Sequence, residues 1–252
     1  MKKLPKVLLL GIPECGVSTL NEIVHRIPFL RSGKWLNQWE EEVCGALKGL
    51  NSGEVWTGYV YYSGEVMRYL EDNQIRRIFI YRDPRDMILS YLFYILNDDK
   101  HIHHKYFTEH LDCLDEQIKK MITGFYESGT IAKQYGQEAI GYGSMNDHYL
   151  PYLRWLEDPN TCVIRYENLI DDNSKSSELN KIIDYLWEDI KEEGFSKEDY
   201  LRLFEDAQFY KNIKKDTSNE WVKYFSEEIK EIFKEEAGEL LIYLGYESDL
   251  KW

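Results

Sequence analysis

The sequence predicts an α/β fold: a P-loop-type parallel sheet flanked by helices on both faces, with a helical C-terminal third. Three observations predict it. Short apolar runs at residues 6–10, 77–81 and 161–166 alternate with stretches of helical spacing, which is how strands covered on both faces read. The first run feeds a Gly- and Pro-containing turn and then a helix, the opening of a βαβ unit. From residue 176 the chain reads as mostly helical and acidic.

Taken in order, residues 6–10 form the first strand, and residues 18–27 follow as a helix with Leu20, Ile23, Val24 and Ile27 on one face. Residues 77–81 (RIFIY) form a second strand, leading through the turn Arg82-Asp83-Pro84 into a helix over 85–96. Residues 161–166 (TCVIRY) form a third. Residues 109–128 and 147–156 read as helices, and the glycine-rich residues 127–144 as a mobile connection. Residues 226–244 close the chain as an amphipathic helix bearing Ile229, Ile232, Phe233, Leu240 and Leu241. No repeat, low-complexity tract or linker interrupts this order, so residues 1–252 are read as one domain.

Composition narrows the function. With 252 residues, 43% of them apolar and 15% aromatic, the chain buries a sizeable core without staples. The balance of 45 acidic against 31 basic side chains, a net charge of −14, argues against a nucleic-acid binder, which needs clustered Lys and Arg. An anionic small ligand needs only a local basic pocket. Cys15, Cys44, Cys113 and Cys162 are widely spaced, without a CxxC pair, and read as reduced thiols of a cytoplasmic protein rather than disulfides or a zinc site. No segment approaches the roughly 18 apolar residues of a membrane span. The sequence carries no signal of oligomeric state.

The sharpest local signal is Gly11-Ile12-Pro13-Glu14-Cys15-Gly16-Val17-Ser18-Thr19, directly after the first strand. Its spacing is that of a P-loop, with Val17 in place of the lysine. Backbone N–H groups at such a turn converge on one spot, and the helix dipole adds attraction for a phosphate. A nucleotide kinase also needs the lysine on the β and γ phosphates, so Val17 disfavours that reading. The second signal is Arg82-Asp83-Pro84-Arg85-Asp86 with Ser90 further along the helix. Arg82 stands at the carboxyl end of a strand, where ligands bind in open α/β sheets. By itself the run also reads as a salt-bridged helix start, with Asp83 capping and Pro84 at the first helical position.

Together these elements resemble the sulfotransferase family that uses 3′-phosphoadenosine 5′-phosphosulfate (PAPS). That family places PKSGTT or PRSGST after its first strand, and R-N/D-P-R/K-D with a later serine after its central strand. Further resemblances follow in order. Gly58-Tyr59-Val60-Tyr61-Tyr62-Ser63-Gly64-Glu65 is similar to its GHLPYSEE segment, Val163-Ile164-Arg165-Tyr166-Glu167-Asn168-Leu169 to LRYEDL, and Leu203-Phe204-Glu205-Asp206-Ala207 to SFENM. Lys214-Lys215-Asp216-Thr217-Ser218-Asn219-Glu220-Trp221 resembles RKGxxGDW.

The resemblance implies that the backbone of Cys15, Gly16, Val17, Ser18 and Thr19 holds the 5′ phosphate, with the Ser18 and Thr19 hydroxyls assisting. It implies that Arg82, Ser90, Lys214 and Lys215 hold the 3′ phosphate, with Tyr166 and Phe204 beside the adenine. Three positions depart from the family. Glu14 replaces the loop's basic residue, Tyr59 the catalytic histidine, and Asp216 and Asn219 the two glycines of RKGxxGDW. Glu14 and Tyr59 are therefore the candidate catalytic residues, with Glu40, Glu41, Glu42 and Glu65 as further carboxylates. His101, His103, His104 and His110 form the one histidine cluster, read as a lid or an exposed loop. The expected activity is sulfuryl transfer from PAPS to a hydroxyl or amine of a small molecule or glycan, without a metal. The alternative is a catalytically degenerate relative that binds PAPS, its product 3′-phosphoadenosine 5′-phosphate (PAP), or another anion.

Overall fold

The computed structural model describes residues 4–37, 42–192, 194–205 and 218–252. Lys214, Lys215 and Asp216 lie outside the described residues, as do Glu40, Glu41, Asp206 and Ala207. The chain forms two compact units, one of residues 1–82 with 151–217 and the other of residues 83–150 with 218–252.

The first unit is built on a five-stranded parallel sheet in the order β2-β3-β1-β4-β7. Its strands are β1 (Lys6–Gly11), β2 (Arg31–Leu36), β3 (Glu54–Gly58), β4 (Ile75–Tyr81) and β7 (Thr161–Arg165). Alternation along β1 explains the continuous apolar run. Val7 and Leu9 join Ile78, Ile80 and Ile164 in one core layer, beneath the helices Val17–Val24, Lys175–Ile190 and Lys197–Glu205. Leu8, Leu10 and Phe79 are buried as completely on the other face. The sheet is thus flanked on both sides, as its strand composition requires. β2 is the exception, an edge strand exposed from Arg31 to Trp35.

The second unit contains the Pro84–Asn97 helix, the Leu114–Thr123 helix and the long terminal helix Glu227–Tyr243. Ser226 caps the last, accepting from the Ile229 N–H, and non-helical geometry at Ala237 interrupts it. Two expectations are corrected here. Residues 109–128 do not form one helix: Gly124 adopts φ +73° and ends it, a conformation that costs glycine little. Residues 127–144 are not an unstructured connection. Strand β5 (Phe125–Ser128) pairs antiparallel with β6 (Ala139–Tyr142), enclosing the short helix Thr130–Gln134. Phe125 stacks on Tyr106 at 4.5 Å, and that aromatic packing holds the hairpin.

Residues 147–156 likewise break into the helix Met145–Tyr149, a 3-10 turn Leu150–Tyr152 and the helix Arg154–Glu157. Pro151 lacks the N–H that would continue an α-helix. Among the described residues, no helix is long and apolar enough to cross a membrane.

Candidate functional site

Register decides which loops meet. In the parallel sheet Leu10 lies beside Gly58, Gly11 beside Ile80, and Tyr81 beside Arg165. The loop after β1, Tyr59 after β3, Arg82 after β4 and Tyr166 after β7 therefore emerge along one edge, at the carboxyl ends of the strands where open α/β sheets bind ligands.

The loop is tightly specified. The Cys15 N–H donates to the Ile12 carbonyl at 3.1 Å, which closes the turn. Glu14 and Gly16 follow in the left-handed region, at φ +61° and +89°. A Cβ on Gly16 would lie 2.3 Å from the Tyr166 ring, so both backbone angle and close approach demand glycine. Gly16 caps the Val17–Val24 helix, and its carbonyl accepts the first ladder bond from Leu20 N–H. The N–H groups of Val17, Ser18 and Thr19 precede that ladder and point out of the helix start. Val17 is buried in the core, which accounts for an apolar side chain where a P-loop kinase has its lysine.

Arg82 and Tyr166 brace this loop. Arg82, 5% exposed, donates from Nη1 to the Glu14 carbonyl at 3.3 Å and lays its guanidinium over the Tyr166 ring at 4.7 Å, a cation–π contact. Tyr166 and Phe204 both sit in the hydrophobic core. Phe204 is fully buried, at 0% exposure. Ser18 is exposed and Thr19 half-buried.

Tyr59 lies edge-on to Trp35, with ring centroids 5.6 Å apart. Burial pushes its phenol up to about 12, and the nearby Glu14 carboxylate and Cys15 push it the same way. Glu14 and Tyr59 are thus electrostatic neighbours, and the phenol stays protonated at neutral pH. Beside Tyr59 opens a cavity of about 500 Å³ whose lining includes Glu42, Cys44, Lys48, Tyr61, Glu65 and Tyr69. Burial and the Glu65 carboxylate raise the Cys44 thiol above its usual range, so it is not a poised nucleophile. Two further contacts were not legible beforehand. Thr57 Oγ1 donates to Asn21 Oδ1 at 2.8 Å, tying β3 to the loop helix, and Trp155 Nε1 donates to the Val60 carbonyl at 2.9 Å.

In the second unit, the RDPRD run after Arg82 is a structural knot. Asp83 caps the Pro84–Asn97 helix by accepting from Arg85 N–H at 2.9 Å. Arg85 pairs with Asp83 at 2.8 Å and with Glu247 at 2.5 Å, while its guanidinium lies 3.9 Å from the Trp221 ring and 4.7 Å from that of Trp252. Buried Asp86 accepts from the N–H groups of Asn219 at 2.7 Å and Trp221 at 3.0 Å. Asn219 stands at φ +64°, in the left-handed region that asparagine tolerates better than most residues. Ser90 is half-buried on the same helix as Asp86.

The histidines pack rather than converge. His101 meets the Tyr91 hydroxyl at 3.3 Å, His104 the Ile95 carbonyl at 2.9 Å, and His110 stacks on Tyr106. His103 is buried, and that burial lowers it to about 4. Among the described residues, no group of three or more His, Cys, Asp or Glu is placed to hold a metal.

The model of the sulfotransferase domain matches residues 64–244, well over half of the chain. The chain belongs to the sulfotransferase family. The match spans Arg82, Ser90, Tyr166 and Phe204 of this sulfotransferase, while Glu14 and Tyr59 precede it. Among solved structures, mouse sulfotransferase SULT7A1 complexed with PAP superposes with a TM-score of 0.61 at 18% identity, covering 96% of this chain and 87% of that one. At that identity the likeness concerns the fold. No curated protein matches the sulfotransferase by sequence.

Proposed function

We propose that this protein is a cytoplasmic, single-domain enzyme that transfers the sulfuryl group of PAPS to a hydroxyl or amine of a small molecule or glycan. The observation that carries this reading is the cradle made by the Gly16–Thr19 backbone with Arg82 braced on Tyr166 at 4.7 Å. It combines outward N–H groups at a helix start with a buried guanidinium, two features that suit phosphate oxygens. A solved relative of the same fold was crystallised with PAP, which supports the choice of nucleotide. In this reading the loop holds the 5′ phosphate and Arg82 the 3′ phosphate.

The acceptor occupies the cavity beside Tyr59. Its rings Tyr59, Tyr61 and Tyr69 and its charged residues Lys48, Glu42 and Glu65 suit a polar, hydroxyl- or amine-bearing molecule better than an apolar one. In the transfer, the acceptor oxygen or nitrogen bonds to sulfur as the bond from sulfur to the bridging phosphate oxygen breaks. PAP leaves, and the acceptor proton passes to a carboxylate. Glu14, the neighbour of Tyr59, is that carboxylate, because a phenol held near 12 is a hydrogen-bond donor at neutral pH and not a base.

Heating the protein with and without millimolar PAP tests the nucleotide assignment. A ligand at 100 times its Kd adds about 2.7 kcal/mol of stability, and an unmoved Tm would overturn it. Glu14→Gln then separates the roles, with PAP binding retained and PAPS turnover lost. Binding without turnover in the native protein across an acceptor screen would make it a nucleotide-binding relative instead.

A further inference from the structure

We propose that the Tyr152 hydroxyl donates a hydrogen bond to a sulfuryl oxygen of the bound sulfonucleotide, an inference that rests on the PAPS reading above. Tyr152 ends the 3-10 turn Leu150–Tyr152 and is 1% exposed. Its hydroxyl has no hydrogen-bond partner among the described residues. A buried polar group left without a partner is destabilising, and native proteins hold few of them. Such an atom calls for an acceptor from outside the chain.

Packing shows where that acceptor belongs. The Tyr62 N–H donates to the Pro151 carbonyl at 2.9 Å, the Tyr152 ring meets Tyr61 edge-on at 5.1 Å, and Trp155 Nε1 holds the Val60 carbonyl. Residues 151–155 are thereby fastened along residues 60–62, immediately after Tyr59. Cys15 of the phosphate loop and Tyr59, which lines the candidate acceptor cavity, are among the groups acting electrostatically on the Tyr152 hydroxyl. Burial raises its pKa far above neutrality, so it is a donor at every working pH.

The chemistry fits that position. Sulfuryl transfer concentrates negative charge on oxygens at the loop end, and Glu14 puts a carboxylate where the family has a cation. Preorganised neutral donors in a site shielded from water offset such charge. Tyr152 and Tyr59 supply two. PAP lacks the sulfuryl group, so Tyr152 distinguishes PAPS from PAP, whereas the loop and Arg82 grip both.

The test is Tyr152→Phe in the full chain, with Tm, the Kd values of PAP and PAPS by calorimetry, and PAPS turnover measured together. Removing an oxygen that has no protein partner leaves Tm unchanged or higher and PAP affinity within about twofold. PAPS affinity or kcat falls about 10- to 100-fold, the order expected for one lost hydrogen bond to a charged group. An unchanged PAPS-to-PAP affinity ratio with unchanged kcat overturns this inference and leaves the PAPS reading standing. A collapse of Tm overturns it too, because the hydroxyl would then serve the fold. Native protein that binds neither nucleotide overturns the PAPS reading, and this inference with it.

Discussion

The two ends of the parallel sheet in the first unit handle polar groups in opposite ways. At the amino ends of the strands lies the larger cavity, about 570 Å³, lined in part by Arg76, Arg77, Tyr185 and Asp189. Its arginines are answered by protein. Arg77 bonds Asp158 through Nε at 2.6 Å and Nη2 at 3.2 Å, Arg76 bonds Asp189 at 2.6 Å, and the Tyr185 hydroxyl donates to the Asn160 carbonyl at 2.8 Å. At the carboxyl ends lies the smaller cavity of about 500 Å³. There lie the start of the Val17–Val24 helix and the Tyr152 hydroxyl, which has no hydrogen-bond partner among the described residues. The proposed site follows strand polarity and this donor rather than cavity size.

The largest expected effect breaks the amino end. Arg77→Ala leaves the Asp158 carboxylate, 8% exposed, buried without its cation, and removal of one partner of a buried pair costs about 3–5 kcal/mol. A Tm depressed accordingly, with PAP affinity of the folded protein unchanged, marks this end as structural. A loss of PAP affinity in Arg77→Ala would erase the distinction between the ends.

Arg82→Ala makes the reciprocal cut. Loss of the guanidinium over Tyr166 lowers PAP affinity about 100-fold, or about 2.7 kcal/mol, within the range for charge-assisted hydrogen bonds to phosphate. Arg82 also holds the Glu14 carbonyl and the Tyr166 ring, so some stability goes with it. Calorimetric titration of PAP into both variants, beside their melting curves, reads the two effects separately.

The same contrast governs what was legible in the sequence. β1, β4 and β7 announce themselves because strands covered on both faces must be apolar throughout. β2 (RSGKWL) is exposed from Arg31 to Trp35, and β3 (EVWTG) has only five residues, so their strand character comes from pairing that starts at β1 and no local pattern marks it. The loop and Arg82 were legible as local motifs whose glycine and charge have backbone reasons. Tyr152 was not, because its place depends on residues 151–155 packing along residues 60–62, some ninety positions away in sequence. Phe204, which the motif resemblance places beside a ligand, lies fully buried in the core. Asn219 reads in sequence as a lost glycine, yet its φ of +64° lies in the left-handed region.

A smaller effect separates the ends by pH. Arg77 and Thr161 bond Asp158 and outweigh its burial, holding its pKa below the ordinary 3.8. A depressed carboxylate contributes stability that is complete above its unfolded pKa and disappears as pH falls through the folded one. Urea midpoints of native protein and Asp158→Asn should therefore differ at pH 6 and converge below about pH 4. A gap that persists at the lowest pH would show that Asp158 acts through shape and not through charge.

The smallest effect concerns Tyr59 at the carboxyl end. With its phenol near 12, a Tyr59 base would make the rate climb about tenfold per pH unit from 7 to 10, because the phenolate fraction does so. A Glu14 base gives instead an acid limb followed by a plateau. Tyr59→Phe removes one neutral donor and should lower kcat about tenfold or less, leaving the acid limb and plateau in place, while Glu14→Gln abolishes the limb. A native profile still rising at pH 9, flattened by Tyr59→Phe, would return the proton to Tyr59 and make Glu14 the positioning residue.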